Sequence, residues 1–250
     1  MVFEENGEEI MYVDMHCHCH EFSEDEIKSF LDKGINLVCV SDDPLSSNHT
    51  LELSRKYHGI IPCIGVHPWE AHKYSLKNIS ELVEEALRND IVCLGEVGLD
   101  KLFVPKTYEH QLVLFKYFLH TAKEYDLVLN LHTAGTWREV FDLLIKYDID
   151  KAYFHWYTGP LNLLEQIKEQ EYFIGINPAW KIQEKHRKVI EKADIDMIIT
   201  ESDAPYKYKN MVLSPLMVIE TVNYIAERKK IDVEYVKQRI WINYNKIFKH

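Results

Sequence analysis

The chain has 250 residues, 46% hydrophobic and 28% charged, with 40 acidic against 29 basic side chains for a net charge of −11. This composition describes a soluble globular protein of one large or two small domains, with no apolar run long enough to cross a bilayer. The acidic balance excludes broad, charge-driven adhesion to nucleic acid or anionic membrane, so any phosphate recognition has to be local.

The first ten residues are acidic and lack a basic stretch followed by an apolar one, so a cytoplasmic protein is expected, with residues 1–9 as a loose tail. Apolar periodicity predicts a strand over Val13–His18, a helix over Glu24–Lys33, a strand over Asn36–Ser41, a helix over Ser47–Tyr57 and a strand over Ile60–Val66. A helix over Leu76–Leu87 and a strand over Ile91–Glu96 follow, then a long helix over Lys106–Tyr125 and a strand over Leu127–His132. The alternation continues with helix Trp137–Tyr147, strand Ala152–His155, helix Leu161–Glu169, strand Tyr172–Asn177, helix Lys181–Lys192 and strand Met197–Glu201. Helices over Leu213–Arg228 and Val233–Ile247 close the chain.

Eight strands that are apolar on both faces, separated by helices, predict a parallel sheet covered on its outer side: a (β/α)8 barrel spanning residues 1–250 as one domain. An open doubly wound sheet is the alternative, but no Gly-rich turn follows the first strand.

On that barrel the polar residues collect where strands end. His16 and His18 close the first strand, and alternation puts them on one face with Asp14. His67 follows the third strand, Glu96 ends the fourth, His132 the fifth and His155 the sixth, and Asp203 follows the eighth. Parallel strands carry these residues to one mouth, the catalytic face of barrel enzymes. Imidazoles and carboxylates without thiolates suit Zn²⁺, Mn²⁺, Mg²⁺ or a similar hydrolytic ion. They are too many for a single metal with an open position, so two divalent ions bridged by Glu96 are expected, with Asp203 as ligand and proton acceptor. His20 continues the alternation, but the strand is expected to end by Glu21, which leaves it outside the ligand set. Asp14 is read as orienting a histidine ahead of being a ligand itself, and Asp100, which could bond a ligand histidine or cap the following segment, is read as structural. Trp156 and Tyr206, just past strand ends, either stack on a base or sugar or simply wall the mouth. The five cysteines include no CxxC pair and sit in apolar runs, so they are expected to be reduced core residues.

The stretches Val13-Asp14-Met15-His16-Cys17-His18, Gly65-Val66-His67-Pro68, Gly95-Glu96-Val97-Gly98-Leu99-Asp100, Leu131-His132-Thr133, His155-Trp156-Tyr157-Thr158-Gly159 and Glu201-Ser202-Asp203-Ala204-Pro205-Tyr206 occur in one order and spacing. In this the chain resembles the TatD-type metal-dependent hydrolases, from about Met11 to the closing Asn243–Phe248. The resemblance implies a barrel of amidohydrolase type, metal ligands at His16, His18, Glu96, His132, His155 and Asp203, and a substrate-holding His67 beside them. It also implies DNA as substrate, cut at ends or in single strands. Two departures bear on that substrate. Thr133-Ala134-Gly135 stands where the family usually has a polar pair, and Lys207-Tyr208-Lys209-Asn210 forms a short loop without arginine. Lys207, Lys209, Lys106 and Arg138 are the local cations that could replace it. The alternatives are hydrolysis of a small amide, ester or phosphoester at the same metals, or a metal-binding scaffold without catalysis. No organic cofactor and no membrane partner are expected, and the oligomeric state is left open.

Overall fold

Strand β1 (Tyr12–Cys17) pairs in parallel with β2 (Ile35–Val40), and the pairing continues in chain order through β3 (Ile60–Ile64), β4 (Cys93–Gly98), β5 (Val128–His132), β6 (Ala152–Phe154), β7 (Phe173–Ile176) and β8 (Ile198–Thr200). The computed structural model describes residues 10–248, and the tail expected over residues 1–9 lies outside the described residues. Eight parallel strands in sequential order, with helices between them, make the expected (β/α)8 barrel. The last strand returns to the first through individual bonds. Thr200 Oγ1 donates to the Val13 carbonyl at 2.7 Å, the Asp203 N–H to that of His16 at 2.8 Å, and the His18 N–H to that of Ala204 at 2.8 Å.

The helices are α1 (Glu24–Leu31), α2 (Pro44–Lys56), α3 (Leu76–Leu87), α4 (Tyr108–Tyr125), α5 (Trp137–Lys146), α6 (Leu164–Glu169), α7 (Glu184–Lys192), α8 (Met217–Lys229) and α9 (Val233–Phe248). In α4 the buried Leu114, Phe115, Phe118, Leu119 and Ala122 recur at helical spacing and form the stripe laid on the barrel. Each such Leu or Phe contributes about 1.5–3 kcal/mol by leaving water. Capping explains the boundaries. Ser23 with Glu26 and Ser75 with Asn78 start α1 and α3 where expected. Helix α2 begins three residues ahead of the expected Ser47, because Asp43 accepts from the Ser46 N–H and Pro44 fills the first position. The loop after β8 holds an unanticipated hairpin, β9 (Lys207–Tyr208) with β10 (Met211–Val212).

The cysteines correct the sequence expectation. Cys63 and Cys93 face each other in the β3–β4 register and form a disulfide, and Cys19 forms a second with Cys39. Only the buried Cys17 is free. Strand register joins Cys63 to Cys93, 30 residues apart, and the turn after β1 brings Cys19 to Cys39 of β2, 20 residues apart; spacing along the chain displays neither.

Candidate metal centre

Pleating turns Met15 and Cys17 of β1 into apolar packing and leaves His16 and His18 for the mouth. His16 is fully buried and His18 is 9% exposed. Glu96 enters from the wholly buried β4. Two residues on, Gly98 takes φ +146°, and a Cβ there would sit 2.0 Å from the His132 carbonyl oxygen. Only glycine allows β4 and β5 to approach so closely, and the approach sets His132 against Glu96. Trp156 and Asp203, two and three residues past the ends of β6 and β8, adopt left-handed φ values of 42° and 59°. Chain reversals of this kind cost free energy and cluster at functional sites.

Glu96 is the centre of the arrangement. Its Oε2 lies 3.2 Å from His16 Nε2 and 3.8 Å from His18 Nε2. Its Oε1 lies 2.7 Å from His132 Nδ1 and 3.3 Å from His67 Nε2. Asp203 Oδ1 completes the first half at 3.6 Å from His16 Nε2, 3.4 Å from His18 Nε2 and 3.8 Å from His155 Nε2. The His155 ring stacks on His16 with centroids 3.6 Å apart. All seven residues expected at the mouth are thus brought together, one carboxylate oxygen of Glu96 serving each half. His67, expected beside the metals, stands with Glu96 and His132 in a group whose ligand atoms lie within 4.8 Å of one another.

Away from the centre, the outer ring nitrogens of His16, His18, His132 and His155 each face an oxygen, whereas His67 Nδ1 accepts from the Trp69 N–H at 3.1 Å. Asn130 Oδ1 lies 2.8 Å from His16 Nδ1, Asp42 Oδ1 3.3 Å from His18 Nδ1, Asp100 Oδ2 3.1 Å from His132 Nε2 and Glu201 Oε2 3.1 Å from His155 Nδ1. Metal-ligating histidines are held in this way. Gly175 makes room for the Glu201 carboxylate, since a Cβ there would lie 2.3 Å from Oε2. Asp100 also caps the backbone of Leu102 and Phe103 and accepts from Trp69 Nε1 at 2.6 Å, so it takes both roles weighed for it, partner of a histidine and cap of the following segment. Asp14 bonds the backbone N–H groups of Ser202 and His16 and touches no ring nitrogen, which corrects its assignment to orienting a histidine. Its burial pushes its carboxyl up to about 8.

Burial by itself would lower the His132 and His155 imidazoles. The carboxylates of Asp100 and Glu96 beside the first, and of Glu201 and Asp203 beside the second, outweigh it and push each up to about 9. Burial would likewise raise the Glu96 carboxyl, but the charges of His67 and His16 and the bond from His132 hold it well below the usual range. The centre carries surplus negative charge that needs a cation, whether protons or metal. His16 Nε2 is sealed from solvent and makes no aligned hydrogen bond, as suits a metal ligand.

Tyr206 is 45% exposed at the mouth, whereas the Trp156 indole N–H donates to Gln183 Oε1 at 3.0 Å and its ring meets Tyr206 and Tyr208 edge-on. Arg138 reaches Gln166 at 2.7 Å, and Lys106, Lys207 and Lys209 are exposed. Sequence reasoning missed Asn130, Asp42 and Glu201. Asn130 stands two residues before His132 and Glu201 two before Asp203, so strand alternation was the available signal.

Residues 13–249 match the family described as TatD related DNase. The chain belongs to that family. Among its relatives, an uncharacterized metal-dependent hydrolase of Methanocaldococcus jannaschii is 31% identical, covering 96% of this chain and 98% of its own. The deoxyribonuclease TATDN3 of Homo sapiens is 26% identical over 93% of each chain. The crystal structure of the TatD homologue YjjV from Escherichia coli superposes with a TM-score of 0.86 at 24% identity, covering 96% of this chain and 98% of that one, a likeness of fold.

Proposed function

We propose that this TatD-family protein is a two-metal hydrolase that cleaves phosphodiester bonds of DNA, at ends or in single strands. The observation that carries the reading is Glu96, which presents Oε2 to His16 and His18 and Oε1 to His132 and His67. His16, His18 and Asp203, with His155 beside them at Asp203, fit one ion, and His132 with His67 the other, with Glu96 shared. Divalent ions held there supply positive charge to the scissile group and lower the pKa of the attacking water. Asp203 accepts the proton of that water at its carboxylate, and its left-handed backbone fixes the carboxylate over the mouth. Asn130, Asp42, Asp100 and Glu201 orient the imidazoles. Tyr206 offers an exposed ring against a base or sugar, with Trp156 behind it as wall.

DNA is favoured by the family and by the names of relatives such as TATDN3. A cytoplasmic location is part of the proposal. Cys19, Cys39, Cys63 and Cys93 are fully buried, which shields both disulfides from reducing thiols. The test is the metal content of protein purified without chelator, followed by hydrolysis of single-stranded DNA, duplex DNA and a simple phosphodiester with Mg²⁺, Mn²⁺ or Zn²⁺ restored. Metal-dependent cleavage of DNA is the expected result. Bound metal with every phosphodiester untouched would overturn the nuclease reading and move the search to amides and carboxylic esters.

A further inference from the structure

Beside the centre, on the flank of β1 and β2, lies a second group of ligating side chains. His18, His20, Glu21 and Asp42 each bring one ligand atom to within 4.8 Å of the others. Asp42 joins them, with Oδ1 3.3 Å from His18 Nδ1 and Oδ2 3.2 Å from His20 Nε2. The group is not closed on itself. His18 is 9% exposed, yet its Nδ1, pointed at Asp42 and sealed from solvent, makes no aligned hydrogen bond. His20 Nδ1 is equally sealed and unpartnered. Asp42 keeps 30% of its side-chain surface and Glu21 is exposed, so the group opens to solvent at the rim.

We infer that His20, Glu21 and Asp42 form a third divalent-cation site, whose ion takes an oxygen of the phosphate next to the scissile one. One imidazole and two carboxylates, open to water, suit Mn²⁺, Mg²⁺ or Zn²⁺. Asp42 divides its oxygens: Oδ2 serves the rim ion, and Oδ1 faces, at 3.3 Å, Nδ1 of His18, whose Nε2 looks into the centre. The two sites are therefore neighbours across a single ring. Charge gives the rim ion its task. The chain is acidic overall, the loop after β8 has no arginine, and Arg138 is engaged with Gln166. A bound cation adds a compact local positive charge to what the exposed Lys207 and Lys209 of that loop supply. The cation site stands on the cluster itself, and only its phosphate role rests on the phosphodiesterase reading above.

The experiment is equilibrium dialysis of the full chain against Mn²⁺ with elemental analysis, on wild type, His20→Ala and Glu21→Gln, with thermal melting to confirm folding. Kinetics on single-stranded DNA and on bis(p-nitrophenyl) phosphate, which has no neighbouring phosphate, run alongside. Wild type is expected to bind one more Mn²⁺ per chain than His20→Ala. In that variant KM for DNA should rise about tenfold, the scale of one charge-assisted contact, and KM for the small diester less. Glu21→Gln should weaken the same ion. Equal Mn²⁺ content in all three proteins overturns the site. Loss of one ion with the DNA KM unmoved overturns its phosphate role. Loss of one ion in a protein that cleaves no phosphodiester supports the rim site and overturns the phosphate role together with the nuclease reading.

Discussion

His16, His18, His132 and His155 each turn one ring nitrogen to the mouth and the other to an oxygen of Asn130, Asp42, Asp100 or Glu201. In the proposed centre the inner nitrogens bind and the outer oxygens aim them. Glu96→Gln removes the charge shared by both halves, so kcat for phosphodiester hydrolysis should fall by a factor on the order of a thousand, with metal content reduced. Asp203→Asn should fall as far in kcat while the protein melts near the wild-type temperature, since its loss is of a proton acceptor. Full activity in either variant would remove that residue from its role. Asp100→Asn keeps the shape of the side chain and loses only the charge facing His132. Metal affinity should weaken roughly 10- to 100-fold, read by competition with a chelator. An affinity equal to wild type would reduce Asp100 to a cap of the Leu102–Phe103 backbone.

At the level of elements, strand ends matter most, because they fix where ligands stand. Gly98→Ala would force a methyl group against the His132 carbonyl and a left-handed φ on alanine. Destabilisation of roughly 3 kcal/mol is expected in urea unfolding, with loss of metal, as β5 is pushed from β4. An unfolding midpoint equal to wild type would mean that the β4–β5 approach is not tight in solution. Strand-end residues were also the most legible part of the sequence. Apolar runs bounded by polar residues placed all eight strands within two residues of their ends, and with them His16, Glu96, His132, His155 and Asp203. What escaped was set by register and local structure. The start of α2 follows from one Asp43–Ser46 cap, the Cys63–Cys93 disulfide from the β3–β4 register, and the Cys19–Cys39 disulfide from the turn that carries Cys19 past β1 onto β2. Asp42 reaches His18 across the β1–β2 pair, a contact with no counterpart in linear spacing.

Over the whole molecule, the charge gathered at the mouth ties stability to pH. His132 and His155 rise from 6.5 to about 9 in the metal-free fold, so the stabilisation they give is complete below pH 6.5 and lost as pH rises through about 9. Chelator-treated protein should therefore melt several degrees lower at pH 9.5 than at pH 6.5, at about 2–4 °C per kcal/mol for a chain of this size. Added Mn²⁺ or Zn²⁺ replaces the protons, so the melting gap between loaded and stripped protein should widen over the same window. A gap that narrows would contradict the assignment of these histidines to metal. The seam between β8 and β1, closed by Asp203 on His16 and Ala204 on His18, carries a different consequence. The cage draws its first side chain from the start of the chain and its last from beyond the eighth strand, so a polypeptide still emerging from the ribosome has histidines but no Asp203 and no closed wall. Under the proposed two-metal reading, a chain truncated before Asp203 lacks both the proposed proton acceptor and the bonds that close the barrel on β1, and should be inactive.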